Sequence, residues 1–335
     1  MPSKARVLLV GTGGIGTIAA LNLERGGLAE VTCVLRSNYE AVISKGIEII
    51  SCEHGHIKNW RPTAVLNAVP LIRDEDSSTF FDYIVCTTKN IPDVIPSICE
   101  TISPAVTPGH TVIVLIQNGL NIEKPFLSRF PQNVILSGVS RCDAHEIAHG
   151  VIEQKEEDDL HIAAFRNPLL DQDTQQKAAQ QFVHIYGAGG KTNVRHEPNW
   201  ERDRWSKLVY NATLNPICAL TRVNTGDLQT AGSALDRLVI PAMKEVVEVS
   251  KAVGIELPDD IIETTIRKNP MERKIAPSMQ KDMEKGNLLE HENLIGEVVR
   301  EAQKQGVSTP TLSVLYELCS TVQWRVANER GIRIS

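Results

Sequence analysis

Two hydrophobic rhythms divide the chain. In the first part, short continuous apolar runs alternate with helical patterns: RVLLVG (6–11), EVTCVLR (30–36), YIVCTT (83–88), TVIVLIQ (111–117) and VILSGVS (134–140). Runs that are apolar at nearly every position predict strands of a mostly parallel sheet covered on both faces. GVIEQKE (150–156) and LHIAAF (160–165) predict a later antiparallel pair, followed by a helix near 170–187. Beyond residue 199 the strand rhythm stops. Helical patterns continue over 199–221, 231–254, 258–268, 288–305 and 310–329. The Gly- and Pro-punctuated stretch GAGGKTNVRHEPN (187–199) marks the boundary. The pattern therefore predicts an α/β domain with a mostly parallel sheet over 1–196 and an all-helical domain over 197–335.

One helical stretch stands out. RWSKLVYNATLNP (204–216) is apolar almost all round, yet Lys207, Asn211 and Asn215 recur at spacing four. That spacing places them on adjacent turns of one face. A buried ammonium and two buried amides need partners, from the protein, from water or from a ligand. Pro216 lacks the N–H that would bond residue 212, so the helix is expected to kink there.

The first apolar run leads into GTGGIG, with Gly11, Gly13 and Gly16 in dinucleotide-loop spacing between a strand and a helix. Gly11 permits the tight turn, Gly13 lets backbone approach a pyrophosphate, and Gly16 allows close helix–strand packing. Thr12, Gly14 and Ile15 complete the loop, and the helix N-terminus offers N–H donors to phosphate. At the end of the second strand stands Arg36, where an acid would bind a ribose 2′-hydroxyl and a guanidinium suits a 2′-phosphate. Ser37 and Asn38 are candidates for further phosphate contacts. Two other strand ends carry polar groups, Lys89 in CTTKN and Gln117–Asn118 in LIQNGL. In an open α/β sheet, ligands lie outside such carboxyl ends.

Charge and cysteine content narrow the partners. The net charge is −6 and no basic run is long, which excludes a nucleic-acid or anionic-membrane surface as the main partner. Seven scattered cysteines without CxxC predict a reducing, cytoplasmic setting and no disulfide framework. MPSKARVLLV has no signal-peptide pattern, and no apolar stretch is long enough to span a bilayer. CEHGH (52–56) and CDAHEIAH (142–149) lack a fourth ligand at a recognised spacing, so no metal is expected. Helical domains of this kind can form homodimers, although no apolar stripe marks an interface.

Further on, PSMQKD contains Ser278, and LLEHENLIGEVV contains Glu290 in line with Leu294 and Val298, facing a core or cleft. With these residues assembled, the sequence resembles the ketopantoate reductase (2-dehydropantoate 2-reductase) family over nearly its whole length. The matching motifs run in order: GTGGIG, Arg36, TTKN, LIQNGL, WSKLVYNATLNP, PSMQKD, LLEHENLIGEVV and QGVSTPTL. The resemblance implies a Rossmann-type domain that binds NADP(H), followed by a helical substrate domain, and a small 2-oxo acid substrate. It makes Lys207 the general acid and Glu290 the residue that positions the lysine and the substrate's hydroxyl. Asn211, Asn215 and Ser278 would hold substrate, Asn118 would contact substrate or nicotinamide ribose, and Lys89 would lie near both ligands. Two departures concern the substrate end: Thr225 precedes Gly226 where some members have Asn, and Asn90 follows Lys89 without the usual aromatic.

The function expected is NADPH-dependent reduction of 2-dehydropantoate to pantoate, on the route to pantothenate and coenzyme A. The alternative is a reductase or dehydrogenase of another branched or aromatic 2-oxo or 2-hydroxy acid. A non-catalytic nucleotide-binding redox sensor is a third reading, disfavoured because a sensor would need only the glycine loop and not Lys207, Asn211 and Glu290.

Overall fold

A computed structural model describes residues 3–72 and 79–334. The chain forms two compact units. The first comprises Met1–Lys89, Ile98–Gln117 and Glu123–Trp200, and the second Asn90–Ser97, Asn118–Ile122 and Glu201–Ser335. The main division along the sequence falls between Trp200 and Glu201. Two short segments from the first half of the sequence belong to the second unit.

The first unit contains β1 (Ala5–Val10), β2 (Ala29–Val34), β3 (Ile47–Ser51), β4 (Gly55–Trp60), β5 (Ala64–Leu66) and β6 (Tyr83–Cys86). It continues with β7 (Val112–Leu115), β8 (Ile135–Ser140), β9 (Ala144–Ala148), β10 (Val151–Gln154), β11 (Asp159–Ala164) and β12 (Asn193–His196). Its helices are α1 (Gly14–Arg25), α2 (Tyr39–Lys45), α3 (Ile98–Ile102), α4 (Lys124–Arg129) and α5 (Gln172–Gly187). The main sheet has the order β12-β11-β8-β7-β6-β1-β2-β5. All its pairings are parallel except β8 with β11. Its central strands are apolar throughout because both faces are covered: Val7, Leu8, Leu9, Ile84, Val85, Ile113 and Val114 are fully buried. The strand order reverses between β1 and β6, which places the ligand crevice of such a sheet at their carboxyl ends.

The expected antiparallel hairpin of residues 150–156 and 160–165 does not form. β10 joins a second sheet, ordered β4-β3-β10-β9, whereas β11 pairs with β8 and β12 in the main sheet. Both segments are good strands, but nothing local in either specifies its partner.

The second unit is helical. It holds α6 (Trp200–Asn211, from Glu201 on), α7 (Leu214–Thr221), α8 (Thr225–Thr230), α9 (Ile240–Ala252) and α10 (Ile261–Arg267). It is completed by α11 (Ser278–Glu284), α12 (Glu297–Gln305) and α13 (Pro310–Arg330). One-turn π-helical segments, Leu235–Val239 and Glu292–Gly296, lead into α9 and α12. Trp205, Leu208, Val209, Ala212 and Leu214 are buried in one core with Met243, Val246, Leu294 and Leu312. The stretch expected to be one kinked helix is instead two. The chain breaks at Ala212–Thr213, where Thr213 has φ −122 and ψ −73. Pro216 then sits in the first turn of α7, where its missing N–H leaves no intrahelical bond unmade. Among the described residues, no helix is long and apolar enough to cross a membrane.

Candidate active site

The glycine loop follows β1 as the sequence predicts, and each glycine has its own reason. Gly11 has φ +108, and a Cβ there would come 2.5 Å from the Thr88 nitrogen, so the turn excludes other residues twice over. A Cβ on Gly16 would lie 2.2 Å from the Gly11 oxygen and 2.6 Å from the Thr87 hydroxyl. Gly14 is pressed against the Ala144 carbonyl in the same way, at 2.0 Å. Gly13 differs: a Cβ there would meet nothing within 4 Å. No intramolecular contact demands glycine at 13, which leaves that side of the loop open as a candidate cradle for a ligand. The N–H groups of Gly14, Ile15 and Gly16 precede the first intrahelical bond, made by the Thr17 N–H to the Gly13 carbonyl, and such groups suit a phosphate. These residues fit the pyrophosphate of a dinucleotide.

Around the loop, the Thr12 hydroxyl donates to the Val34 carbonyl at 3.2 Å, and Ile15 packs against the sheet core. Their side chains are structural, which leaves backbone as their route to a ligand. Arg36 and Ser37 are exposed just beyond β2. Asn38 is buried, and its amide donates to the Thr12 carbonyl at 3.0 Å and to Glu146 at 2.9 Å. Both its side-chain N–H donors are therefore committed within the protein, which leaves its backbone as the route to the phosphate contact considered from sequence. Lys89 is exposed after β6. Gln117 is buried and donates to the Thr88 carbonyl at 2.8 Å, joining the ends of β6 and β7.

The second unit by itself gathers the remaining candidates. From α6, the Lys207 ammonium donates to the Asn118 Oδ1 at 2.6 Å. Farther along that stripe, the Asn215 amide donates to the Asn211 Oδ1 at 3.3 Å, across the break between α6 and α7. Both asparagines are buried, and the Asn215 Oδ1 has no hydrogen-bond partner among the described residues. A buried unpaired acceptor is costly unless something fills it. Ser278, half-buried, is the first residue of α11, which packs on α7.

Glu290 lies just ahead of the helical segment that begins at His291, is 5% exposed, and accepts the Asn90 backbone N–H at 2.9 Å. Glu292, two residues on, is committed elsewhere. His291 foremost, with Tyr316 and Arg300, holds its carboxyl down at about 2. Of these two acids, Glu290 is the one outside that cluster, bonded instead to the Asn90 backbone.

Several supporting residues were not anticipated. Arg204, 3% exposed, donates to the Gly119 carbonyl at 2.9 Å. Asn293 donates to the Leu120 carbonyl at 2.9 Å and accepts from the Asn90 amide at 3.1 Å. Asn121 donates to Glu301 at 3.0 Å and also to Glu297. A charge-assisted bond such as that of Arg204 contributes about 1.5–3 kcal/mol. Arg204 carried a visible signal, a charge bordering an apolar stripe. Asn90 and Asn293 carried almost none, because their meaning lies in contacts between residues some two hundred positions apart.

The sheet carries a dinucleotide-type glycine loop, and the helical unit that follows holds a lysine, a carboxylate and paired amides. The model for "Ketopantoate reductase PanE/ApbA" matches residues 7–167 and that for its C-terminal domain matches residues 199–323. The chain belongs to the ketopantoate reductase family. An uncharacterized protein of Saccharomyces cerevisiae is 33% identical over 347 aligned positions, covering 98% of this chain and 96% of the yeast protein. The crystal structure of 2-dehydropantoate 2-reductase from Methylococcus capsulatus is similar with a TM-score of 0.80 at 27% identity, covering 96% of this chain and 98% of that one. A D-mandelate dehydrogenase solved with NADH and anilino(oxo)acetate shares the fold, with a TM-score of 0.81 at 20% identity over 96% of this chain and 99% of that one.

The glycine geometry yields a contrast that stability and binding measurements resolve. Gly13→Ala is expected to leave the thermal midpoint within a degree or two while weakening dinucleotide binding at least ~10-fold, because its methyl enters the cradle. Gly16→Ala is expected to lower the midpoint clearly, since its methyl overlaps backbone. Equal effects of the two substitutions on stability would refute the assignment of Gly13 to ligand approach.

Proposed function

We propose that the protein reduces 2-dehydropantoate to pantoate with NADPH, a step toward pantothenate. The observation that carries this reading is the 2.6 Å bond from the Lys207 ammonium to Asn118, in the unit that also holds Glu290 and the Asn211–Asn215 pair. When bound, the nicotinamide supplies a hydride to the ketone carbon. Reduction builds negative charge on the ketone oxygen, and Lys207 stabilises that charge and donates the proton. Asn118 holds the ammonium in one direction. Glu290 and Ser278 orient the substrate, and the unpaired Asn215 Oδ1 accepts from the substrate's terminal hydroxyl. Arg36, exposed beyond β2, pairs with the cofactor's 2′-phosphate, with Lys89 near the ligands.

Three measurements test this. Lys207→Ala should lower kcat at least ~10²-fold, the usual scale for a general acid, with NADPH binding by fluorescence titration unchanged. A near-normal kcat at saturating substrate would make Lys207 structural.

Cofactor preference should favour NADPH over NADH by about ten- to a hundredfold in kcat/KM, the worth of one charge-assisted bond. Arg36→Asp should shrink or reverse that preference, and equal kcat/KM in the unmutated protein would exclude the 2′-phosphate role.

Across a panel of 2-oxo acids, 2-dehydropantoate should be reduced far better than 2-oxoisovalerate, which lacks the hydroxymethyl group and leaves the Asn215 oxygen unpaired. Asn215→Ala should narrow the gap. Similar kcat/KM for the two acids would point to a reductase of another 2-oxo acid.

A further inference from the structure

Asn90 and Asn293 join the two parts of the candidate active site. The Asn293 side chain lies between two short segments, 90–97 and 118–122, that belong to the helical unit. Its Nδ2 donates to the Leu120 carbonyl at 2.9 Å, and its Oδ1 accepts from the Asn90 Nδ2 at 3.1 Å. A carbonyl only accepts, so the amide's orientation is unambiguous. The Asn293 backbone carbonyl also accepts the Leu120 N–H at 2.8 Å. Asn90 in turn gives its backbone N–H to the Glu290 carboxylate at 2.9 Å. On the other side, Leu120 follows Gly119 and Asn118, and Asn118 takes the Lys207 ammonium. A continuous path of hydrogen bonds and three chain residues thus runs from the carboxylate to the lysine.

The contact is steric as well as polar. Gly119 has φ +111, and a Cβ there would lie 2.6 Å from the Asn293 Cβ. The backbone carrying Asn118 therefore rests directly on residue 293. Glu290 lies just ahead of the helical segment and Asn293 three positions on, inside its π-helical turn Glu292–Gly296. Wider turns of this kind recur at functional sites.

We propose that Asn293 is a positioning residue for the reaction: one side-chain amide sets the Asn90 segment against Glu290 and the Gly119–Leu120 turn that presents Asn118 to Lys207. This rests on the reading that Lys207 and Glu290 carry the chemistry. Asn293 touches neither the reacting atoms nor the lysine, and acts by holding their partners. Small misplacements of such partners are costly, up to about a hundredfold for 1 Å.

Asn293→Asp tests the idea. It keeps the size and the acceptor toward Asn90 but places an oxygen against the Leu120 carbonyl, pushing the turn away. The expected result is a fall in kcat of about 10- to 100-fold with NADPH binding unchanged. The kcat–pH profile should shift on its alkaline side, because Lys207 loses its Asn118 partner. Asn90→Ala, which removes the Asn90 Nδ2 bond to Asn293 but keeps the backbone N–H that Glu290 accepts, should lower kcat less and leave that alkaline limb in place. A crystal structure of Asn293→Asp should show the Lys207–Asn118 bond broken. Wild-type kcat and pH profile in both variants, whatever the thermal midpoint, would make Asn293 a purely structural amide. So would an unchanged Lys207–Asn118 bond in that crystal structure. Should Asn293→Asp not fold, Asn90→Ala decides by whether kcat falls. A wild-type protein inactive on every 2-oxo acid would refute the proposed function instead, and the crystal structure would still decide the placement of Asn118.

Discussion

Backbone polar groups taken out of water must be paired, and segments 90–97 and 118–122 meet that demand in an unusual way. Each follows a strand of the main sheet, β6 or β7, after the ladder has ended. Their pairing comes from side chains of the helical unit: Glu290 takes the Asn90 N–H, Asn293 the Leu120 carbonyl, and Arg204 the Gly119 carbonyl. The Asp93 side chain, for its part, accepts from the Gln323 side chain at 2.9 Å. The groups that satisfy these segments include the candidate active-site carboxylate Glu290 and its sequence neighbour Asn293. Structural pairing and candidate chemistry therefore share the same atoms.

That sharing accounts for the opening contradiction of an apolar helix with a polar stripe. Lys207 is only partly buried and has Asn118 as a short-range partner, so its charge is not stranded. Asn211 and Asn215 use one another across the helix break. What remains unpaired, the Asn215 Oδ1, is a localised cost of the kind that binding sites carry. Nearby Glu292 shows the opposite economy, with His291, Tyr316 and Arg300 all engaging it. Neighbouring carboxylates in one stretch of chain thus have different environments, one set by a backbone N–H and the other by a closed ion-pair cluster.

The first unit follows a simpler logic. Gly11, Gly14 and Gly16 are required by the protein's own packing, and Gly13 is not. Family membership accords with that loop and with the helical second unit, since the two family models together match residues 7–167 and 199–323.

Local pattern was enough to read the alternation of strands and helices, the glycine loop after the first strand and the helical second part, because each depends on neighbours in sequence. Periodicity reports which face of an element is buried, and spacing reports which residues share a turn. It did not disclose that β10 and β11 lie in different sheets, since strand pairing is a long-range choice among compatible edges. Nor did it show that Asn38 spends its donors on Thr12 and Glu146, or that the expected kink at Pro216 becomes a break at Ala212–Thr213. Asn90, Gly119 and Asn293 look like ordinary turn and helix residues when read alone. Only the folded chain gives them a role, because hydrogen bonds and van der Waals contacts act over a few ångströms, and folding brings residues some two hundred positions apart within that range.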